Sequence, residues 1–262
     1  MAVAYVMINT DNNSSERDFK IDESKKIDGL SGNALKIIAA IFMLIDHIGF
    51  ILFPQVKVLR IIGRIAFPIY AFMIAEGCEH TKNKLRYFLS IFILGIICQA
   101  AYFIYDGSFD MGILITFSIA VILIYAMQNL KKILFSSSER TFLKVVGAFM
   151  FLLLVAIVYL LNNYIYIDYG FMGCMMPVFA SIFRETKSEL SPQAKKTVNV
   201  LMLGIGLIIL SCVIGGIQRY SLYAIPLLLL YSGKRGKWKM KSFFYIFYPA
   251  HLVILEAISM FL

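Results

Sequence analysis

Windows of about 20 mostly apolar residues recur from Ala34 to Leu262. A bilayer's hydrocarbon core, about 30 Å thick, needs about that many apolar residues in each helix that crosses it. A crossing segment must also satisfy its own backbone hydrogen bonds, which in a chain of this pattern means helix. The expected fold is therefore all-α, a polytopic membrane helical bundle. Composition agrees: 60% of the 262 residues are hydrophobic and 16% are charged, against about a quarter charged in a soluble domain. No stretch remains for a separate soluble catalytic domain.

The windows predict about nine transmembrane helices, near 34–53, 61–79, 85–105, 112–129, 142–161, 165–183, 197–216, 220–231 and 243–262. The eighth is short and contains Pro226, so it reads as a tilted, broken or re-entrant segment. Residues 1–33 form a polar tail of mixed charge, and residues 34–262 form the membrane domain. No basic-then-apolar leader opens the chain, so the first span is expected to target it to the inner (cytoplasmic) membrane. Cys78, Cys98, Cys174 and Cys212 lie in or beside apolar spans without paired spacing, and they predict neither disulfides nor a metal site.

Lys and Arg mark cytoplasmic loops. All but four of the 25 basic residues fall in the tail and in alternate loops, while Asp106–Met111 and Asn162–Tyr164 contain none. This places the amino terminus inside and the carboxyl terminus outside. The net charge of +9 is then a feature of the inner face, and no basic domain surface is left for nucleic acid. The four exceptions are Lys57, Arg60, Arg64 and Arg219. Arg60 and Arg64 are four apart and share one helical face, where they read either as partners for lipid phosphates or as contacts for an anionic or carboxylate group.

Ionisable groups inside a bilayer are costly and point to function. Asp46, His47, Glu76, His251 and Glu256 are of this kind. Lys36 and His47 are eleven residues apart, close to three turns, and so share a face about 16 Å apart along the axis. Asp46 points about 100° away from His47, so a carboxylate that orients His47 is expected from another helix. His47 reads equally as a proton-transfer group and as a structural hydrogen-bonding group. Pro249 is expected to open a polar spot beside His251. The run Gly233-Lys234-Arg235-Gly236-Lys237-Trp238-Lys239-Met240-Lys241 reads either as a positive-inside loop anchored by Trp238 or as a phosphate-holding segment.

Several stretches together resemble the TraX family of membrane proteins: Leu35-Lys36-Ile37-Ile38-Ala39, Met43-Leu44-Ile45-Asp46-His47-Ile48-Gly49, Leu59-Arg60-Ile61-Ile62-Gly63-Arg64-Ile65-Ala66-Phe67-Pro68, Glu76-Gly77, Asp168-Tyr169-Gly170, Ser232-Gly233-Lys234-Arg235-Gly236 and Phe244-Tyr245-Ile246-Phe247-Tyr248-Pro249-Ala250-His251. The resemblance runs from about residue 31 to the carboxyl end. It implies acetyl transfer from acetyl-CoA, since the founding member of that family acetylates the amino terminus of a pilus subunit. The family is similar to the wider transmembrane acyltransferases, many of which carry an arginine, ten intervening residues and a histidine in the first helix. Lys36 and His47 keep that spacing with lysine in place of arginine, which retains the charge and loses the bidentate fork.

On this resemblance His47, Asp46, Arg64 and Asp168 are the expected catalytic group. Lys36, Lys234, Arg235, Lys237, Glu76 and His251 are expected to serve acetyl-CoA. Arg60, Arg64 and Tyr169 are expected to meet the acceptor, which is a peptide amine, a glycan or a lipid. The competing class is a transporter or flippase that uses the same buried His47, Glu76 and Arg64 as a proton or substrate pathway.

Overall fold

In the computed structural model, residues 29–107, 111–136, 140–184, 191–237 and 240–261 are described. Most of the polar tail, together with Trp238 and Lys239, lies outside the described residues. Among the described residues there is no strand, only two isolated bridges, Leu30 with Tyr231 and Met111 with Ile167.

The first helix, α1 (Gly32–His47), starts where the Ser31 hydroxyl accepts the Ala34 N–H at 3.2 Å, which satisfies one of the donors a helix start leaves open. It runs on into a π-helical turn, Ile48–Leu52. Next, α2 (Lys57–Gly63) and α3 (Ala66–His80) form one long apolar segment broken at Arg64 and Ile65. Asn83 caps α4 (Lys84–Asp106), which ends at Gly107 in the left-handed conformation that glycine adopts at low cost. Then come α5 (Ile113–Leu134) and α6 (Thr141–Leu161).

After α6 the elements shorten. α7 (Gly170–Phe179) has only ten residues, and α8 (Pro192–Ile214) follows with Ser191 as its cap and Pro192 in its first turn. The predicted span at 220–231 is a 3-10 helix, Gly216–Tyr223, continued by the short α9 (Ala224–Leu229). The chain ends in α10 (Lys241–Ser259), which is helical through Pro249.

Six segments among the described residues are long and apolar enough to cross a membrane: Gly32–Leu52, Lys57–His80, Lys84–Ile104, Ile113–Leu134, Thr141–Leu161 and Pro192–Ile214. Two shorter apolar helices, Gly170–Phe179 and Phe243–Ser259, accompany them. Phe72, Ile69, Leu123, Ile124, Leu203 and Leu207 are fully buried and join α3, α5 and α8 in one core, with Met176 of α7 among them. The outside is equally apolar. Phe142, Phe149, Met150 and Leu152 of α6 are all more than half exposed, which is the surface of a protein whose solvent is lipid. The chain is a membrane protein.

Candidate functional site

Among the described residues, the buried side chains of Asp46 and His251 and that of Arg184 belong to two ionisable groups, one at each end of α1. At its carboxyl end, Asp46 meets α2. Gly63 makes that approach possible, because a Cβ at residue 63 would overlap Asp46. Gly49 likewise leaves no room for a Cβ against Leu59. Small residues at a helix crossing let backbones come close where no hydrophobic force separates protein from lipid.

Arg60 and Arg64 then straddle Asp46. Arg64 Nη2 donates to Oδ1 at 2.7 Å and to Oδ2 at 2.5 Å, and Arg60 Nη1 donates to Oδ2 as well. The carboxylate is 11% exposed and the Arg64 side chain 12%, so the ion pairs are held in surroundings that screen them poorly. A second carboxylate, Asp168, lies within electrostatic reach of both guanidinium groups, so the two arginines stand against two acids.

Arg64 also donates through Nη1 to the Tyr169 hydroxyl at 3.0 Å. Tyr169 is the only non-glycine residue with positive φ among the described residues, at 60°. That conformation costs about 1 kcal/mol or more and persists where surroundings enforce it. Here the enforcement is a parallel stack on Phe67, 4.0 Å between centroids. The preceding strand-like pairing adds to it: Met111 N–H donates to Tyr166 and Asp168 N–H to Met111, both at 2.9 Å. The Asp168 carboxylate lies beside the Tyr169 backbone and within electrostatic reach of Arg64.

His47 has a partner from a distant part of the chain. Its Nδ1 lies 2.8 Å from Nε2 of His251 on α10. His251 Nδ1 lies 2.8 Å from the Phe247 carbonyl oxygen. The rings of His47 and His251 meet edge to edge, with centroids 5.0 Å apart, and the Phe247 ring lies parallel to His251 at 5.0 Å with 9° between planes. The π-helical turn begins immediately after His47, a distortion that recurs at functional positions in helices. The partner expected for His47 from another helix is a carboxylate; the side chain that meets it there is the His251 imidazole.

At the amino end of α1 the second group is built on Glu76. Its Oε2 accepts from Arg184 Nη1 at 2.6 Å and its Oε1 from the Tyr231 hydroxyl at 3.0 Å, while Arg184 also bridges to Glu79 at 2.5 Å. The basic loop folds directly onto α1. The Gly32 and Asn33 N–H groups donate to the Lys234 and Arg235 carbonyls at 2.8 and 3.0 Å. A Cβ at Gly236 would press on Ser31 and Asn33, and its φ of 95° suits glycine. The open donors of the helix start are therefore used by loop carbonyls, and an anion here has side chains as its partners. Lys234, Arg235 and Lys237 are exposed, and half-buried Lys36 lies within electrostatic reach of Arg235 and Glu76.

The structure thus brings His47, Asp46, Arg60, Arg64, Asp168, Tyr169 and His251 to one end of α1. It brings Lys36, Glu76, Lys234 and Arg235 to the other. His251, expected with the donor-binding residues, stands against His47 instead. Sequence reasoning missed Arg184, Tyr231, Phe67 and Gly63. In the sequence Arg184 reads as one more basic residue of a cytoplasmic loop, and nothing in its neighbours marks it as 7% exposed.

The chemistry available is proton transfer at a partly buried imidazole pair near two arginines and two acids, with a separate basic site about 16 Å away along α1. Residues 31–259 match the TraX protein family. The chain is 25% identical over 260 residues to the "Probable fimbrial assembly protein FimC, serogroup H1" of Dichelobacter nodosus, covering 91% of this chain and 99% of that protein. Over 96 residues it is 38% identical to an uncharacterized protein of Rickettsia prowazekii (strain Madrid E), covering 36% of this chain and 37% of the other. No solved structure matches the chain.

Proposed function

The chain belongs to the TraX family, and from that premise we propose that it is a membrane-embedded acetyltransferase. It moves an acetyl group from cytoplasmic acetyl-CoA to an amine or hydroxyl acceptor on the outer side of the inner membrane. The observation that carries this reading is the pairing of His47 with His251 beside the doubly bridged Asp46. An imidazole so placed can take a proton from a nucleophile. The guanidinium N–H donors of Arg60 and Arg64 on the same end of α1 favour an anionic part of the acceptor or the oxyanion that forms on the acetyl carbon.

The basic group at the other end of α1 supports a donor site. Lys36, Lys234, Arg235 and Lys237 hold the phosphates of acetyl-CoA, and the pantetheine arm runs along α1 toward His47. Glu76 positions Tyr231 and Arg184 under that loop. At the acceptor end Arg60, Arg64 and Tyr169 meet the incoming group, and Asp168 orients it. The name of the Dichelobacter relative, a fimbrial assembly protein, supports a fibre subunit's amino terminus as acceptor; an envelope glycan or a lipid head group offers equivalent chemistry.

The reading needs nine crossings, with the amino terminus inside and the carboxyl terminus outside. The 3-10 helix supports the eighth, since eight residues at about 2.0 Å each and six of α9 at about 1.5 Å reach together about 25 Å. Gly215 at the end of α8 and Tyr231 at Glu76 are the two ends of that path. The sixth crossing runs from Tyr169 beside Arg64 to Arg184 beside Glu76.

The test uses purified protein in nanodiscs with acetyl-CoA and an acceptor peptide. The wild type is expected to bind acetyl-CoA and to release CoA only when the peptide is present. His47→Ala is expected to bind acetyl-CoA as well as the wild type and to lose CoA release by about 10² or more. A folded His47→Ala protein that releases CoA at the normal rate would sink the assignment of the base. Absence of acetyl-CoA binding by the wild type would favour a transporter, which has no need of that ligand.

A further inference from the structure

The two nitrogens of His251 have different partners, and that difference fixes where its hydrogen sits. A carbonyl oxygen only accepts, so His251 Nδ1, 2.8 Å from the Phe247 oxygen, carries the hydrogen. In a neutral ring Nε2 is then a lone pair, and it lies 2.8 Å from His47 Nδ1. That contact is a hydrogen bond only when His47 Nδ1 carries its own hydrogen. The lone pair of His47 is then on Nε2. This is the tautomer that a free histidine side chain disfavours.

We propose that His251 is a positioning residue that holds His47 in its Nδ1–H form and so presents Nε2 as the base. The proposal rests on the acetyl-transfer reading above and names what orients its base. The usual orienting partner, a carboxylate, is not available nearby in sequence, because Asp46 is committed to Arg60 and Arg64. Phe247 holds His251 twice over, through its carbonyl and through its parallel ring one turn earlier on α10. His251 is 4% exposed, so bulk water does not compete for its Nε2.

In the reaction the acceptor nitrogen or oxygen attacks the acetyl carbonyl carbon and the carbon–sulfur bond breaks. The acceptor's proton moves to His47 Nε2, and the departing CoA thiolate takes that proton to leave as the thiol. While Nε2 holds the proton, the Nδ1–H bond to His251 becomes charge-assisted and stronger. A neutral imidazole partner gives that support without a standing ion pair, which leaves His47 uncharged beside two arginines between turnovers.

The experiment is nitrogen-15 solid-state NMR of protein labelled at its three histidines, assigned by single substitution, in parallel with CoA-release kinetics. His47 is expected as the Nδ1–H tautomer in the wild type. His251→Phe should shift it to the Nε2–H form and lower kcat by about 10², with the KM for acetyl-CoA within twofold. His251→Gln, whose amide oxygen can accept from His47, should restore both the tautomer and most of kcat. An Nε2–H His47 in the wild type, or an unchanged tautomer in a folded His251→Phe protein, overturns the proposal. A tautomer that shifts as expected in a protein with no acetyl-CoA-dependent turnover supports the positioning role and overturns the acetyl-transfer reading.

Discussion

Asp46 accepts hydrogen bonds from two guanidinium groups while being almost sealed from solvent. Removing it leaves two cations facing each other, so Asp46→Ala is expected to cost about 3 kcal/mol or more, read as a fall in the thermal unfolding midpoint in detergent. Arg64→Ala should cost more than Arg60→Ala under the same measurement. Arg64 bonds both carboxylate oxygens and the Tyr169 hydroxyl and is half as exposed as Arg60. At this scale the ion-pair residues were readable as types and spacings: the interval from 60 to 64 put two arginines on one face, and Asp46 stood out as an acid in an apolar run. Their mutual pairing was not readable, because residues 14 and 18 positions apart meet only when two helices cross.

The elements depend on close approaches that few residues permit. A side chain at residue 63 would enter the space of Asp46, so Gly63→Val is expected to separate α1 from α2, lower the unfolding midpoint and abolish acceptor-dependent CoA release. Gly204→Ala in α8 meets nothing closer than 3.6 Å; it should leave both measurements within error or raise stability slightly, as alanine favours helix over glycine. Lys131 at the end of α5 donates to the carbonyls of Ser181, Ile182 and Arg184, just past the end of α7. A cation there satisfies carbonyls that a helix end leaves open. Lys131→Met should therefore lower the unfolding midpoint, at a cost of about 1–2 kcal/mol, and Lys132→Met should lower it less. Apolar windows located the long helices closely, but α7 is shorter than the span expected at 165–183, and the eighth span is a 3-10 helix with a short α-helix. Hydropathy reports how apolar a stretch is and says little about its rise per residue, which neighbouring helices set.

For the whole molecule the decisive prediction concerns the path between α8 and α10. Single cysteines replacing Arg219 and Lys237, in a background without other cysteines, are expected to react with a membrane-impermeant maleimide from opposite sides, residue 219 from outside and residue 237 from inside. Labelling of both from one side would remove the eighth crossing and with it the nine-span topology. The sequence by itself determined that this chain is a helical membrane protein and which few residues are too polar to lie in lipid without a purpose, because both follow from local composition and from helical spacing. Only the tertiary structure decided that Asp46 belongs to two arginines, that Glu76 belongs to Arg184 and Tyr231, and that His251 stands against His47. Those pairings join residues as many as 204 positions apart, and the force that selects them, the cost of leaving a polar group unpaired in a low-dielectric interior, acts on positions in space and leaves no periodic trace in the chain.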